Sequence, residues 1–246
     1  MKKRGIKYVV KKGNQFYPSE ELKKIANITD PKIYTQAAKD PIKFWGDLAK
    51  EGLTWSKDWD KTYEEKLPYF KWFKGGKLNF SVNCVDRHLA HPEKTALIWV
   101  PEPKDEKPIK ISYGELHNKI NKFANVLKTN GIKKGDVVSI YLPMIPQALI
   151  AMLACTRIGA IHSVVFSAFA SDALKARIQD GKAKILITSD GYYRRGKPEN
   201  LLKKAKKAAK RTTVQKIIVV NRIGKKVRGR KFLDFDDELE KAESEE

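Results

Sequence analysis

The chain is predicted to be an α/β protein, with a mainly parallel sheet of βαβ units preceded by a helical, aromatic-rich amino-terminal segment. Three observations predict this. From about residue 95, apolar runs of four to seven residues alternate with stretches whose apolar side chains recur at helical spacing. Glycine and proline fall at the junctions between them. Ahead of this pattern, residues 34–80 hold 11 of the 24 aromatic side chains and four of the five tryptophans, Trp45, Trp55, Trp59 and Trp72. Rings at that density are expected on helices and loops packed against a larger body.

In chain order, residues 1–33 are basic and weakly periodic and read as a peripheral arm, and residues 34–92 form the aromatic-rich segment. The α/β domain is expected over 93–231 and an acidic tail over 232–246. Ala96–Val100 reads as a short strand, and the proline- and charge-rich stretch Pro101–Pro108 as an exposed turn. Ser112 and Glu115 have capping-box spacing. The helix they open puts Leu116, Ile120, Phe123, Ala124 and Leu127 on one face, and Gly131 stops it. Val137–Leu142 is a buried strand by its β-branched content. Pro146 begins a helix that runs to about Ile158 and is apolar nearly all round, hence buried. Ile161–Phe166 is the next strand, and Ser171 and Asp172 open a helix through Ile178. Lys184–Thr188 is a strand, Asn200–Lys210 a helix, and Val214–Val220 the last clear strand. Strands separated by helices imply right-handed crossovers, and ligands of such sheets sit beyond the carboxyl ends of the strands. The turns after Phe166 and Thr188 are therefore the places to look for chemistry.

Composition narrows the function. With 41% apolar residues the 246-residue chain can build a core. The longest apolar run, Ala148–Cys155, is far shorter than the roughly 20 residues of a membrane-crossing helix. The basic amino terminus is followed by no apolar stretch of the kind a secretory signal needs. Two cysteines, Cys84 and Cys155, cannot make a disulfide framework or a four-ligand zinc site. A soluble, cytoplasmic protein is expected, with no membrane contact and no metal site. The net charge of +21 is concentrated: Lys197–Lys231 holds fourteen Lys or Arg against one acidic residue, whereas Phe232–Glu246 holds eight acidic residues and one Lys. Such a stripe attracts polyanions. No nucleic-acid motif accompanies it, which favours a solvated surface.

The turn Ser189–Lys197 (SDGYYRRGK) packs Arg194, Arg195 and Lys197 around Gly196 at a strand end, which suits a phosphorylated ligand. From spacing alone, ligand contact and a solvated basic loop fit it equally well. Gly191 and Gly196-Lys197 mimic a phosphate loop, but Pro198 stands where the magnesium-holding Ser or Thr is needed. The turn Phe166–Ser171 (FSAFAS) is small enough for close approach; alone, a tight strand-to-helix connection explains it better. Asn83–His88 (NCVDRH) collects reactive groups, but Asp86, Arg87 and His88 would point apart on a helix, so structural use is favoured. His91 and His117 are isolated, and His162 reads as a core histidine. Neither a GxSxG elbow nor a GxGxxG fingerprint is present, so no catalytic residue is assigned.

Several segments together carry a resemblance: Phe44-Trp45-Gly46, Lys71–Asn79, Asn83–Leu89, Ile111–His117, Gly131–Val138, and Tyr141–Pro146 running into Ala151–Ser163. Over about residues 34–222 the chain resembles the amino-terminal part of acetyl-coenzyme A synthetases, of the acyl-adenylate-forming superfamily. The resemblance implies the front portion of a ligase that joins acetate to coenzyme A. In that reaction acetate attacks the α-phosphate of Mg·ATP, and the thiol of coenzyme A then displaces AMP. The resemblance also implies that ATP, its magnesium and coenzyme A are substrates, with no tightly bound cofactor. The family's nucleotide loop, acyl pocket and carboxy-terminal lid do not occur among these residues, so the chain alone is expected to be inactive and to need a complementary chain carrying them. The acidic stretch from Asp234 would then be a ragged end or a contact for that piece. Arg194 and Lys197 stand where the family's basic residues meet the phosphate end of coenzyme A, with Arg195 and Gly196 between them. Phe166, Ser167 and Ala168 stand on the pantetheine path, where the family usually has Phe-Gly-Gly. Two alternatives stay open: a non-catalytic module that binds coenzyme A or acyl-CoA, and a polyanion binder working through residues 197–231.

Overall fold

The computed structural model describes residues 9–225 and 227–244. The chain divides into two compact units, Met1–Leu53 with Asp58–Gly76, and Thr54–Lys57 with Lys77–Glu246. In the first, β1 (Val9–Lys12) and β2 (Gln15–Pro18) form an antiparallel hairpin. Helix α1 (Glu20–Ile25) follows, capped by the Ser19 hydroxyl. Helices α2 (Lys32–Lys39) and α3 (Pro41–Gly52) come next; the Asp40 side chain caps α3, and Pro41 pre-sets its first turn. A second hairpin, β3 (Lys61–Lys66) with β4 (Tyr69–Lys74), occupies part of the stretch expected to be helix and loop. Its rings explain the difference. Tyr63 and Trp72 are cross-strand partners with centroids 4.9 Å apart, and Trp59 meets Phe73 edge-on at 5.0 Å. Aromatic cross-strand pairs are among the more favourable in a two-stranded sheet.

The second unit opens with α4 (Phe80–Cys84), capped by Asn79, and a 3-10 turn at Asp86–His88. Strands β5 (Thr95–Trp99) and β6 (Ile109–Ser112) pair antiparallel across the proline-rich turn. Helix α5 (Tyr113–Thr129) starts with the predicted capping box: the Glu115 N–H donates to Ser112 Oγ at 3.2 Å, and the Ser112 N–H donates to the Glu115 carboxylate at 2.7 Å. Its apolar stripe, Leu116, Ile120, Phe123, Ala124 and Leu127, is buried as expected.

The alternating pattern follows: β7 (Val137–Tyr141), α6 (Pro146–Arg157), β8 (Ile161–Val164), α7 (Ser171–Asp180), β9 (Ile185–Ser189), the small hairpin β10 (Tyr192–Arg194) and β11 (Lys197–Glu199), α8 (Leu201–Ala208) and β12 (Lys216–Val220). The chain continues past the last strand read from sequence, into β13 (Phe232–Asp234) and α9 (Phe235–Lys241). Five strands make one wholly parallel sheet in the order β13-β12-β9-β7-β8. Alternate residues point to opposite faces. Val138, Ile140, Ile185, Ile187, Ile218 and Val220 join α5 and α6 in one core, while Tyr141, Leu186, Ile217 and Val219 join α7 and α8 in another.

The acidic stretch, expected as a ragged end or as a contact for a missing piece, is folded onto this unit as far as α9. Phe235 is fully buried and stacks on Phe123 at 4.4 Å, and Asp234 caps α9 by accepting the N–H groups of Asp236 and Asp237. Five apolar residues, Phe232, Leu233, Phe235, Leu239 and Ala242, carry this attachment against an acidic background that masks them in the sequence. Glu245 and Glu246 lie outside the described residues.

Candidate functional site

Strand β7 leads to β8 on one side of it, and β9, on the other side, leads away to β12. The crevice outside the carboxyl ends of β7 and β9 is therefore the switch point of the sheet, where open α/β sheets take their ligands. A cleft of about 510 Å³ lies there. Pro143–Ile145 after β7, Phe166–Ala168 after β8, Tyr192–Arg194 at β10, and Arg222 after β12 line it, with Trp99 at the end of β5. Both turns singled out from the sequence thus meet in one place, and Phe166, Ser167, Ala168 and Arg194 share its wall.

Arg195, Gly196 and Lys197 are exposed and fall outside that lining. Arg194 pairs with Lys197 across the β10–β11 hairpin, so Arg195 and Gly196 are the two residues of its turn. Both have left-handed backbone, φ 51° and 74°, as a tight two-residue hairpin turn demands. Gly196 serves this turn, and its N–H is occupied by the Glu102 carboxylate at 3.1 Å, so it leaves no bare amide for a phosphate. Cross-strand partners project from the same face of a hairpin, so Arg194 and Lys197 set two cations side by side.

Three locks hold the walls, and the sequence reading passed over all of them. The fully buried Tyr141 phenol donates to the carbonyls of Ser167 at 2.9 Å and Phe169 at 2.7 Å, pinning the Phe166 turn. Burial, with Tyr192 nearby, pushes that phenol up to about 12, so it keeps its proton. The equally buried Asp190 carboxylate accepts the backbone N–H groups of Arg222, Ile223 and Lys225 at 2.8–3.1 Å, fastening the loop after β12 to the end of β9. The Arg222 guanidinium lies between the rings of Tyr193 (4.9 Å) and Trp99 (5.2 Å) and pairs with Glu106 at 2.6 Å. The Trp99 indole N–H in turn donates to the Met144 carbonyl at 2.8 Å. The one sequence signal for these locks was Asp190, an acid at a strand end in an otherwise basic turn.

The Asn83–His88 segment is structural, as read, but His117 is not isolated. Arg157 Nη1 and Nη2 clamp the Asp86 carboxylate at 3.0 and 2.5 Å, Nη1 also donates to Ser81 Oγ, and Nη2 lies 3.1 Å from His117 Nε2. Burial would raise the Asp86 carboxyl; the Arg157 hydrogen bond and charge, with His117 adding to them, override it and hold the group below its ordinary value. The cluster ties α4, the 3-10 turn, α5 and α6 together, away from the cleft lining. His162 lies half-buried on the outer strand β8 and not in the core; burial lowers its imidazole. Among the described residues, no helix is long and apolar enough to cross a membrane.

Comparison with known proteins agrees with this architecture. Residues 85–245 match the AMP-binding enzyme family, and residues 31–84 match the acetyl-coenzyme A synthetase N-terminus family. Acetyl-coenzyme A synthetase of Streptomyces avermitilis is 44% identical over 231 residues, 92% of this chain and 35% of its own length. The synthetase of Leptospira biflexa is 48% identical over 216 residues (84% and 33%), and that of Methanothrix soehngenii 47% over 210 (83% and 31%). Acetoacetyl-CoA synthetase from Streptomyces lividans superposes with a TM-score of 0.81 at 22% identity, over 92% of this chain and 38% of that one, and so shares the fold. The chain spans about a third of the length of these curated relatives. With a switch-point cleft and a match over most of its residues, the chain belongs to the AMP-binding enzyme family.

Proposed function

We propose that this chain is the front portion of an acetate–CoA ligase, and that its cleft takes coenzyme A. The observation that carries this reading is the meeting of the Phe166–Ala168 turn with Arg194 at the switch point, beside the paired cation of Lys197. In the complete reaction acetate displaces pyrophosphate from ATP, forming acetyl-adenylate, and the coenzyme A thiolate then displaces AMP. This chain's share is binding and orientation. Arg194 and Lys197 hold the phosphate end of coenzyme A by charge-assisted hydrogen bonds, and the Phe166 turn borders the pantetheine arm. Ser167 and Ala168 put side-chain atoms where the resembling enzymes have glycine, which narrows that path. ATP and its magnesium belong to residues outside this chain.

Calorimetry with coenzyme A tests the reading. Arg194→Ala and Lys197→Ala are each expected to weaken binding about tenfold, the loss of one solvent-exposed charge-assisted contact. Unchanged affinity in both removes the site. The 246-residue chain alone is expected to give no acetate-dependent ATP–pyrophosphate exchange, and measurable exchange overturns the division of labour.

Four of the fourteen basic side chains of the stripe are engaged within the fold, which supports a structural use for that part of it. Arg222 is stacked and ion-paired, Lys206 covers the Phe232 ring at 4.7 Å, Lys207 faces Asp172 at 3.6 Å, and Lys216 donates to the Arg230 carbonyl. A DNA affinity that falls steeply with added salt would restore the polyanion reading.

A further inference from the structure

The loop between β5 and β6 carries three carboxylates, Glu102, Asp105 and Glu106. Two of them reach elements that hold the cations of the cleft, and they do so differently. Glu106 meets a charge: it pairs with Arg222 at 2.6 Å, on a guanidinium already held between two rings. Glu102 meets a neutral group. It accepts the Gly196 N–H at 3.1 Å, and among the described residues it makes no ion pair. That N–H belongs to the two-residue turn between Arg194 and Lys197, with Arg195 as its neighbour. An oxyanion therefore already rests on the backbone of the segment that carries three cations. Glu102 and Gly196 are both exposed, so water competes for the contact and little holds it closed. Glu102 also borders two spaces at once: the cleft, and a second cavity of about 380 Å³ that Lys104 and Tyr193 help to line.

We infer that Glu102 is a built-in competitor for the anion site of the hairpin: its carboxylate holds the Gly196 N–H until a phosphate displaces it. The two anions cannot share the turn, because like charges a few ångströms apart repel. A phosphate wins the exchange because it carries more charge and more acceptor oxygens, and can meet Arg194, Lys197 and the Gly196 amide together, whereas Glu102 bonds the amide alone. The second cavity gives the displaced carboxylate room, with the Lys104 cation in its wall. The exchange also selects among ligands, since a singly charged anion gains too little to evict Glu102. The inference rests on the reading that Arg194 and Lys197 meet the phosphate end of coenzyme A, and it adds what sets the affinity there. The opposing account, in which Glu102 braces the turn in its binding shape, predicts the opposite sign on its removal.

The test is calorimetry on the 246-residue chain with two probes, coenzyme A and inorganic pyrophosphate, in the wild type, Glu102→Gln and Glu102→Ala. Glutamine keeps the length of the side chain and an acceptor oxygen, and drops the charge. Both variants are expected to bind coenzyme A about tenfold more tightly than the wild type, the scale of one removed like charge near the protein surface. Weaker binding by Glu102→Ala, with Glu102→Gln unchanged, makes Glu102 a brace of the turn and overturns the competitor. Equal affinity for coenzyme A in all three proteins also overturns it, and leaves the coenzyme A reading standing. Pyrophosphate bound more tightly by the variants, with coenzyme A bound by none, retains the competitor and refutes the coenzyme A reading. No binding of either probe by any of the three proteins overturns both. Urea unfolding checks that the variants fold; should Glu102→Ala fail to, the isosteric Glu102→Gln decides alone.

Discussion

Replacing Tyr141 by Phe removes one oxygen and leaves the buried ring in place, so no cavity cost accompanies the change. What is lost is the donor shared by the Ser167 and Phe169 carbonyls. One phenolic proton serves both acceptors, so the loss is that of a single buried hydrogen bond with its acceptors stranded, about 1.5 kcal/mol within the usual range of 1–3. The turn that the phenol pins closes on its own bond, from the Phe169 N–H to the Phe166 carbonyl at 3.0 Å. The Phe169 amide is therefore the reporter: a loss of about 1.4 kcal/mol in local opening speeds its exchange about tenfold. The Val165 amide, bonded into the sheet at Ile140, is the internal control and stays within twofold. Alkaline pH supplies a second arm. The phenol's folded value, about 12, lies above its ordinary 10. Its contribution is fully present below pH 10 and fades as pH rises through 12. The stability gap between the wild-type chain and Tyr141→Phe, measured by urea unfolding, therefore closes over that interval. Equal exchange at Phe169 in both proteins, or a gap that persists at pH 12, refutes the role of the phenol as the pin.

Gly196→Ala costs about 1 kcal/mol in urea unfolding; nothing lies within 4 Å of the added carbon, so the cost is the left-handed backbone alone, and a neutral result contradicts the two-residue turn. The Cys155 thiol, fully buried and pushed up to about 12 by burial, reacts with Ellman's reagent at pH 8 only as fast as the protein unfolds, whereas the half-buried Cys84 reacts first; two thiols reacting together at once contradict the core placement. Asp86→Asn destabilises the fold by about 3 kcal/mol at pH 7, because it leaves the nearly buried Arg157 guanidinium without its counter-charge. The wild-type Asp86 carboxyl titrates below its ordinary value, so that difference holds at and above about pH 4 and shrinks as pH falls through the folded value; a difference that is the same at pH 7 and pH 2 places the effect elsewhere.

What was legible in the sequence was local or periodic. The Ser112–Glu115 cap is a four-residue signal, and the α5 stripe from Leu116 to Leu127 repeats over about three turns, so both need no knowledge of partners. The β-branched runs of β7, β9 and β12 are dense because both faces are buried. What was not legible depends on residues far apart in the chain. Tyr141 sits in a strand and reads as one more core ring; only the arrival of Ser167, 26 residues later, gives its hydroxyl work. Arg222 counts as one charge in a basic stripe until Trp99, Glu106 and Tyr193 close around it from other segments. His117 stood alone because Asp86 and Arg157 are 31 and 40 residues away in sequence. The β3–β4 hairpin was missed for a different reason: its rings were counted for density, and their pairing across two strands was not considered.

The locks and the ligand-facing groups of the cleft are different residues, and this separation can be exploited. Tyr141 and Asp190 are fully buried and act on backbone atoms, so they shape the walls without presenting a charge to the ligand. Arg194 and Lys197 are exposed and hold nothing else in the described network, so they are free to meet an anion. A site built this way has its wall geometry set by the fold before a ligand arrives, which lowers the ordering cost of binding. Changes at Arg194 or Lys197 should therefore move affinity and leave unfolding untouched, because exposed side chains contribute little to stability. A change at Tyr141 should move both together. If Arg194→Ala also unfolded the chain, the hairpin would be a structural element in its own right, and the division between wall and contact would fail.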